Sequence, residues 1–85
     1  MDKFYDVSFK VHNAASDAWN AKVQYTTKDY REAVANFGSE ISRLFGSKDF
    51  DFVCVTLSDN FGNELDKKYI DERVKPEPPE PNTEG

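Results

Sequence analysis

The chain is poor in the residues that build crosslinked or metal-binding proteins. Its 85 residues include one cysteine, Cys54, and one histidine, His12. A single cysteine cannot form a disulfide within the chain, which suits a reducing compartment, and we therefore expect a cytoplasmic protein. Because there is neither a second histidine nor a CxxC pair, a zinc site is not expected, and we predict no metal or cofactor.

Long apolar runs are absent, and proline is confined to one end. The longest apolar run is 52–55, whereas a membrane-spanning helix needs about 20 residues. Residues 1–9 include an early acid and no apolar signal core, so we expect no secretion signal. Every proline lies within 76–81. We expect 1–74 to form a single domain and 75–85 to form a flexible, acidic, Pro-rich tail.

Signatures of catalysis are missing as well. GxSxG, GxGxxG and GxxxxGK[ST] do not occur in the chain. Cys54 lies in the most apolar stretch, where the ordinary role of a cysteine is that of a small buried side chain. Acid pairs such as Asp49 and Asp51 fall at predicted strand ends, where we expect solvated charges. The protein is therefore expected not to be an enzyme, with no catalytic residues.

Two alternating segments stand near the N-terminus. Residues 4–13 and 19–26 alternate between apolar and polar side chains, which predicts two half-buried strands joined as an antiparallel hairpin. The predicted apolar side of the first strand consists of Tyr5, Val7, Phe9 and Val11. The predicted apolar side of the second consists of Trp19, Ala21, Val23 and Tyr25. Polar residues such as Lys10, Lys22 and Gln24 then fall on the opposite side of the sheet.

Between residues 28 and 45 the apolar period becomes that of an amphipathic helix. Its predicted stripe consists of Tyr30, Ala33, Val34, Phe37, Ile41, Leu44 and Phe45. Thr26 or Thr27 is the predicted N-cap, and Gly46 directly after the stripe is a stop signal. Gly38 either allows close packing on a sheet or bends the helix, and we favour close packing.

The second half of the chain predicts two further strands. Residues 48–59 are apolar on both sides, as in a central strand, and the charged residues 64–74 are typical of a protected edge strand. The order ββαββ predicts an α+β fold, a four-stranded antiparallel sheet with one helix packed on one face. The predicted core consists of Tyr5, Val7, Phe9, Val23, Tyr25, Val34, Phe37, Ile41, Leu44, Val53, Val55 and Leu57.

One helix covers one face of such a sheet and leaves the other available to a partner. On that open face we expect Lys10, Lys22 and Phe52 as candidate partner contacts, together with His12, Gln24, Cys54 and Phe4. Phe61, at the tip of the last hairpin, is a second candidate contact together with Asn60 and Asn63, because binding free energy concentrates in aromatic anchors surrounded by polar residues. Gly62 beside it is predicted to supply the positive φ of the turn. The alternative is that the Phe61 ring folds back over the sheet edge and closes the core.

The charge distribution limits the class of partner. The net charge is −5, but Glu77, Glu80 and Glu84 lie in the predicted tail, so residues 1–75 carry only −2. A nearly neutral domain lacks a strong field for phosphate groups. We expect inhibition or modulation of a partner protein by contact. Alternatives are single-stranded nucleic-acid binding on the open face and a structural or assembly role, in either a monomer or a homodimer.

The architecture also resembles a known class of proteins. The stretches YDVSFKV (5–11), AKVQY (21–25) and FVCVTLSDNFGNEL (52–65), with the helix at 28–45, are arranged as in small ββαββ accessory proteins of bacteriophages, some anti-CRISPR proteins among them. The resemblance covers most of 4–71 and is one of architecture, without a shared residue motif. It implies a phage-encoded protein that binds a partner stoichiometrically in a host cytoplasm, and it assigns no functional residue.

Overall fold

Five elements follow one another in the order that the sequence predicts. A computed structural model describes residues 2–73, and the predicted tail lies outside this range. The elements are β1 (Tyr5–Asn13), β2 (Ala18–Thr27), α1 (Tyr30–Phe45), β3 (Phe50–Asp59) and β4 (Glu64–Asp71). The strands form one antiparallel sheet in the order β2-β1-β3-β4, and α1 packs on β3, β1 and β2. The predicted α+β fold is confirmed.

The core lies between α1 and the two central strands. Its buried apolar side chains are Val7, Val11, Ala33, Phe37, Leu44, Val53, Val55 and Leu57. Tyr5, Phe9, Tyr25, Ile41, Phe45, Phe50 and Ile70 pack against this group. Strands β1 and β3 contribute most because each has a neighbouring strand on both sides, which shields its inward side chains laterally. No helix of the described residues is long and apolar enough to cross a bilayer.

Two residues predicted to lie in the core are exposed. The exposed fraction is 56% for Val23 and 41% for Val34. Val34 lies at the margin of the helix stripe, whose buried centre is Ala33, Phe37, Glu40 and Leu44. A single helix packed on a sheet buries only a narrow strip of its own surface. Where the apolar side of the helix is wider than this strip, the residues at its margin remain in solvent. Glu40 takes an inward position that the apolar pattern did not identify, and its carboxylate accepts a hydrogen bond from Arg43.

Val23 is exposed because β2 contains an irregularity. Val7 pairs with Tyr25, yet the next residue of β1, Ser8, pairs with Val23, so that Gln24 is an extra residue in β2. One extra residue reverses the alternation of sides along the rest of a strand, since the side-chain period of a strand is two. The N-terminal part of β2 therefore turns the opposite side toward α1 from the one predicted.

The pairing partners show the reversal directly. Trp19 pairs with His12 on the side away from α1, and Lys22 pairs with Phe9 on the side that carries α1. The predictions that this overturns are the inward positions of Trp19, Ala21 and Val23 and the outward position of Lys22. They assumed a regular strand, and nothing in the residues 18–27 themselves marks where the extra residue falls.

The helix is capped by Asp29 rather than by a threonine. Asp29 Oδ1 accepts hydrogen bonds from the N–H groups of Arg31 and Glu32 at 2.9 and 3.3 Å. Thr27 Oγ1 instead accepts from the N–H of Asp29 at 3.1 Å and donates to Glu32 Oε1 at 2.8 Å. The predicted caps Thr26 and Thr27 are therefore wrong. A carboxylate satisfies the free N–H groups and also places negative charge at the positive end of the helix dipole.

The two glycines of this region have different roles. Gly46 ends the helix as predicted: its N–H donates to Ser42 O at 3.2 Å, and a Cβ at this position would lie 3.0 Å from the same oxygen. Gly38 is exposed, and a Cβ there would meet no atom within 4 Å. The interpretation that Gly38 permits close packing on the sheet is therefore wrong, because its side of the helix faces away from the sheet.

Candidate functional site

The side of the sheet opposite α1, here termed the open face, carries side chains in rows across the four strands. Strand register defines these rows in the order β2, β1, β3, β4. The row at one end consists of Trp19, His12, Phe52 and Asp71. The next row consists of Ala21, Lys10, Cys54 and Tyr69. The third consists of Val23, Ser8, Thr56 and Lys67. Rings thus concentrate at one end, and small or polar residues lie in the middle.

At the first row, four side chains pack against one another, and we term them the Trp19 cluster. They are His12, Trp19, Phe52 and Arg73. The Trp19 ring centroid lies 4.8 Å from that of His12 and 5.4 Å from that of Phe52. The Arg73 guanidinium lies 5.1 Å from the Trp19 centroid and 5.0 Å from that of Phe52. It is oriented by Asp71, whose two carboxylate oxygens each accept from it at 2.8 Å. The side chains at this end of the open face therefore pack on one another, and Trp19 remains 48% exposed.

His12 is held between two carboxylates. Its Nδ1 lies 2.6 Å from Asp51 Oδ1, and its Nε2 lies 2.8 Å from Asp17 Oδ1. Carboxylate oxygens accept, so both ring nitrogens must donate, and only the imidazolium form does this. The hydrogen bond to Asp51 and then that to Asp17 raise the pKa of His12 above its ordinary value of 6.5, although burial of the ring acts in the opposite direction. The ring is therefore a structural cation of the open face.

Asp17 reaches His12 from the loop between β1 and β2 through a left-handed backbone. Its φ is +53°, a region that Asp and Asn enter more readily than other side-chain-bearing residues. The loop is closed by Asn13 Oδ1, which accepts from the N–H of Ser16 at 3.1 Å. The sequence does not reveal this arrangement, because Asp51 lies 39 positions from His12 and only the pairing of β1 with β3 brings them together.

His12 makes the stability of the fold depend on pH near and above neutrality. Since its folded pKa is raised, its contribution is complete below the unfolded value of 6.5 and is lost as pH rises through the folded value. We expect the Tm to fall as pH rises above 6.5 and through the folded pKa of His12. The decline should be weaker in His12→Gln, which has no group that titrates at this position.

The same group can be titrated directly, because the chain has a single histidine. Proton NMR of the His12 ring should give a midpoint above 6.5 in the folded protein. Asp17→Asn should shift this midpoint downward, since it removes one of the two anionic acceptors. A wild-type midpoint at or below 6.5 would contradict the proposed imidazolium.

Beyond the Trp19 cluster the open face forms a shallow depression with a volume of about 460 Å³. Its lining residues are Ser8, Phe9, Lys10, Ala21, Lys22, Val23, Cys54, Thr56, Glu64 and Lys67. Val23 lies on one edge strand, and on the other edge strand Tyr69, opposite Cys54, is 62% exposed. The depression thus has a floor of small side chains, with an exposed Val23 on one edge strand and an exposed Tyr69 on the other.

The lysines around the depression differ in their surroundings. Lys67 Nζ lies 3.8 Å from Glu64 Oε1. Lys10 has no carboxylate partner within residues 2–73, and its Nζ lies 5.0 Å from the Trp19 ring centroid. Lys22 borders the depression with some of its atoms, although register places its side chain on the helix side. Lys10 is therefore the cation that is most available to a ligand here.

The hairpin tip between β3 and β4 is built around Asp59, whose side chain is fully buried. Its Oδ1 accepts from the N–H groups of Phe61 and Asn63 at 2.9 and 3.0 Å, and its Oδ2 accepts from Asn63 Nδ2 at 3.1 Å. Lys3 Nζ lies 3.6 Å from the same Oδ2. Gly62 has φ +89°, the left-handed conformation that the sequence predicts at this position.

Asn60 and Asn63 are exposed, but their side chains form hydrogen bonds within the chain. Asn60 Oδ1 accepts from the N–H of Phe4 at 2.9 Å, and its Nδ2 donates to Asp2 O at 3.0 Å. The backbone N–H of Asn60 also donates to Phe4 O at 3.1 Å. These bonds attach the N-terminal segment to the hairpin tip. A structural role therefore accounts for both asparagines that sequence analysis offered as partner contacts.

Phe61 is 52% exposed and is not among the rings that pack against the core. This arrangement is that of a displayed ring and not that of a ring closing the core. The predicted site residues do not form one patch, since the tip and the Trp19 cluster lie at opposite ends of β3. They separate into Asn60, Phe61 and Asn63 at the tip, Phe52 in the Trp19 cluster, Lys10 at the depression and Lys22 on the helix side.

Comparison with known proteins adds no assignment. No family model, no curated protein and no solved structure matches this chain. The resemblance to phage accessory proteins therefore stays a hypothesis based on architecture. Within residues 2–73, no three His, Cys, Asp or Glu side chains are grouped as metal ligands would be. A proposal about function therefore depends on the geometry of the open face.

Proposed function

We propose that the protein acts by binding a partner protein through the depression of its open face, and that this contact inhibits or modulates the partner. The observation that carries the proposal is the pair Val23 and Tyr69. Both are more than half exposed, and they lie on the two edge strands of a sheet face that no helix covers within residues 2–73. The depression lies on this face, with Val23 in its lining. Exposed apolar and aromatic side chains that converge on one surface mark interaction sites more often than isolated ones do.

The chemistry of the depression suits a protein side chain. Its floor includes Ala21 and Cys54, which offer little polarity, and Tyr69 supplies an apolar ring with a polar tip. Tyrosine is among the residues that dominate binding free energy when they become buried in an interface. Lys10, without a carboxylate partner in residues 2–73, complements an acidic side chain at the rim of such a partner.

One observation favours a second candidate, single-stranded nucleic acid. Lys10 lies above the Trp19 ring, and lysines beside exposed rings form the stacking surface of single-strand binders. Against this candidate, Trp19 already contacts His12, Phe52 and Arg73. Trp19 stays 48% exposed, but its ring is already engaged by these three side chains of the same chain. The paired strands also place Asp6 and Glu64 on the open face, and carboxylates disfavour a phosphate chain.

The test compares two exposed tyrosines. The tagged full chain captures its partner from a lysate of the cells in which it is made, and the affinity for the purified partner is then measured. Tyr69→Ala should weaken binding by about tenfold or more. Tyr30→Ala, at a tyrosine on the helix that is 51% exposed, should leave the affinity unchanged. If Tyr69→Ala and Val23→Ala both bind as the wild type does, the proposed surface is wrong.

Two further measurements separate the alternatives. Affinity for a protein partner should change little with salt, whereas affinity for a single-stranded oligonucleotide should fall steeply as salt rises. Tight, strongly salt-dependent binding to an oligonucleotide would replace the protein-binding proposal with the second candidate. Phe61→Ala is measured in parallel, and a loss of partner binding in this variant alone would place the contact at the hairpin tip.

A further inference from the structure

The two edges of the sheet are protected very differently. β4 carries five charged side chains among its eight residues: Glu64, Asp66, Lys67, Lys68 and Asp71. β2 carries one, Lys22, among its ten residues. Charged side chains normally protect an edge strand, because its free N–H and C=O groups are otherwise a template for another strand. β4 has this protection, and β2 does not.

The unprotected part of β2 is a short regular segment. The extra residue Gln24 interrupts the strand, and residues 18–23 before it are all exposed. In the part of the chain from 2 to 73, only β1 pairs with this strand, so its outer edge has no partner. A segment of this length is about that of an average strand. It is therefore long enough to accept one more strand by backbone hydrogen bonding.

We propose that β2 pairs antiparallel with β2 of a second copy of this chain, about a two-fold axis perpendicular to the sheet. The product is a continuous eight-stranded sheet, with both helices on one side and both open faces on the other. A second copy fits this edge because the edge is nearly uncharged, and two identical strands therefore meet without like-charge repulsion. The charged edge β4 lacks this property.

The side-chain pattern selects the register. A two-fold axis perpendicular to the sheet pairs residues on the same side. If this axis passes near the centre of residues 18–23, either Asn20 or Ala21 lies opposite the same residue of the second copy. With Ala21 on the axis, Trp19 of each copy lies opposite Val23 of the other on the open face. Aromatic and β-branched residues are favourable cross-strand pairs. With Asn20 on the axis, Trp19 would instead lie opposite Ala21, a small side chain. We therefore choose the register with Ala21 on the axis.

This register makes a specific prediction about cross-linking. Cys54 is the only native cysteine, so Cys54→Ser removes the competing thiol. In that background Ala21→Cys places two thiols across the axis, within the Cα separation of about 4.4–6.8 Å that a disulfide requires. Asn20→Cys is the matched control, because its two copies are displaced along the strands beyond that range. Under mild oxidation, Ala21→Cys should give mostly covalent dimer and Asn20→Cys mostly monomer.

A second pair of variants tests the dimer without a cross-link. Wild-type protein should sediment as a dimer that dissociates on dilution. Ala21→Lys should sediment as a monomer with an unchanged circular dichroism spectrum, because it places two like charges opposite each other at an exposed position. Asp66→Lys, on the other edge, should stay dimeric. A monomeric wild type, a dimer that survives Ala21→Lys, or stronger cross-linking of Asn20→Cys than of Ala21→Cys would overturn the proposal.

Discussion

Phe37→Ala is expected to lower the free energy of unfolding by about 3–5 kcal/mol, whereas Val34→Ala should stay within about 0.5 kcal/mol of the wild type. Both residues belong to the same apolar stripe in the sequence. Phe37 is buried between α1 and the sheet, so its removal leaves a cavity, while Val34 is 41% exposed. Alanine is also the better helix former, which offsets part of what the valine loses.

Urea denaturation followed by circular dichroism measures the free energy of unfolding of both variants under the same conditions. A loss of this size in Phe37→Ala is a large part of the total stability of a small domain, so the variant should be partly unfolded at ordinary temperature. Equal effects at the two positions would mean that α1 is rotated about its axis relative to the arrangement described above.

Asp59→Ala is expected to lower the Tm by more than about 5 °C. The substitution leaves the N–H groups of Phe61 and Asn63 without their acceptor and releases the turn that joins β3 to β4. Buried donors that lose their partners are more costly than the mean value of a hydrogen bond indicates. Asp66→Ala is the matched control, since Asp66 is exposed on β4, and its Tm should stay close to that of the wild type.

The carboxylate of Asp59 should also make the stability of the fold decrease in acid. Burial by itself would raise the pKa of Asp59, but the hydrogen bonds from Asn63 and Phe61 and the charge of Lys3 together lower it below its ordinary value of 3.8. A lowered pKa means that the contribution is present above the unfolded value and is lost as pH falls through the folded value. Thermal unfolding of the wild type should therefore show a decline below about pH 4 that Asp59→Asn lacks. A Tm of Asp59→Ala equal to that of the wild type would contradict the role assigned to this residue.

The two proposals concern adjacent parts of one surface. Pairing of β2 with its copy would bring the two Val23 side chains close to the dimer axis and would join the two depressions into one longer surface. A partner that binds across the axis would then contact both copies. Ala21→Lys should weaken such binding together with dimerisation, whereas Tyr69→Ala should weaken binding and leave the dimer intact.

Much of the fold could be predicted from local patterns. The alternation in 4–13, the apolar character of both sides of 48–59 and the helical period in 28–45 follow from which side chains must leave water, and the structure has strands and a helix there. Gly62 was predicted correctly because a tight turn needs a positive φ, which glycine adopts without strain. These features depend on near neighbours in the chain, and local sequence therefore determines them.

The composition of the open face depended instead on contacts between distant residues. One extra residue in β2 places Trp19 and Val23 on this face and moves Lys22 to the helix side. The pairing of β1 with β3 brings Asp51 to His12. Residue types and their spacing specify that a strand forms, but the position of a bulge is set by the free energy of packing both sides of the sheet at once. The elements were thus readable from the chain alone, whereas the surface that they present was decided by how the strands pair.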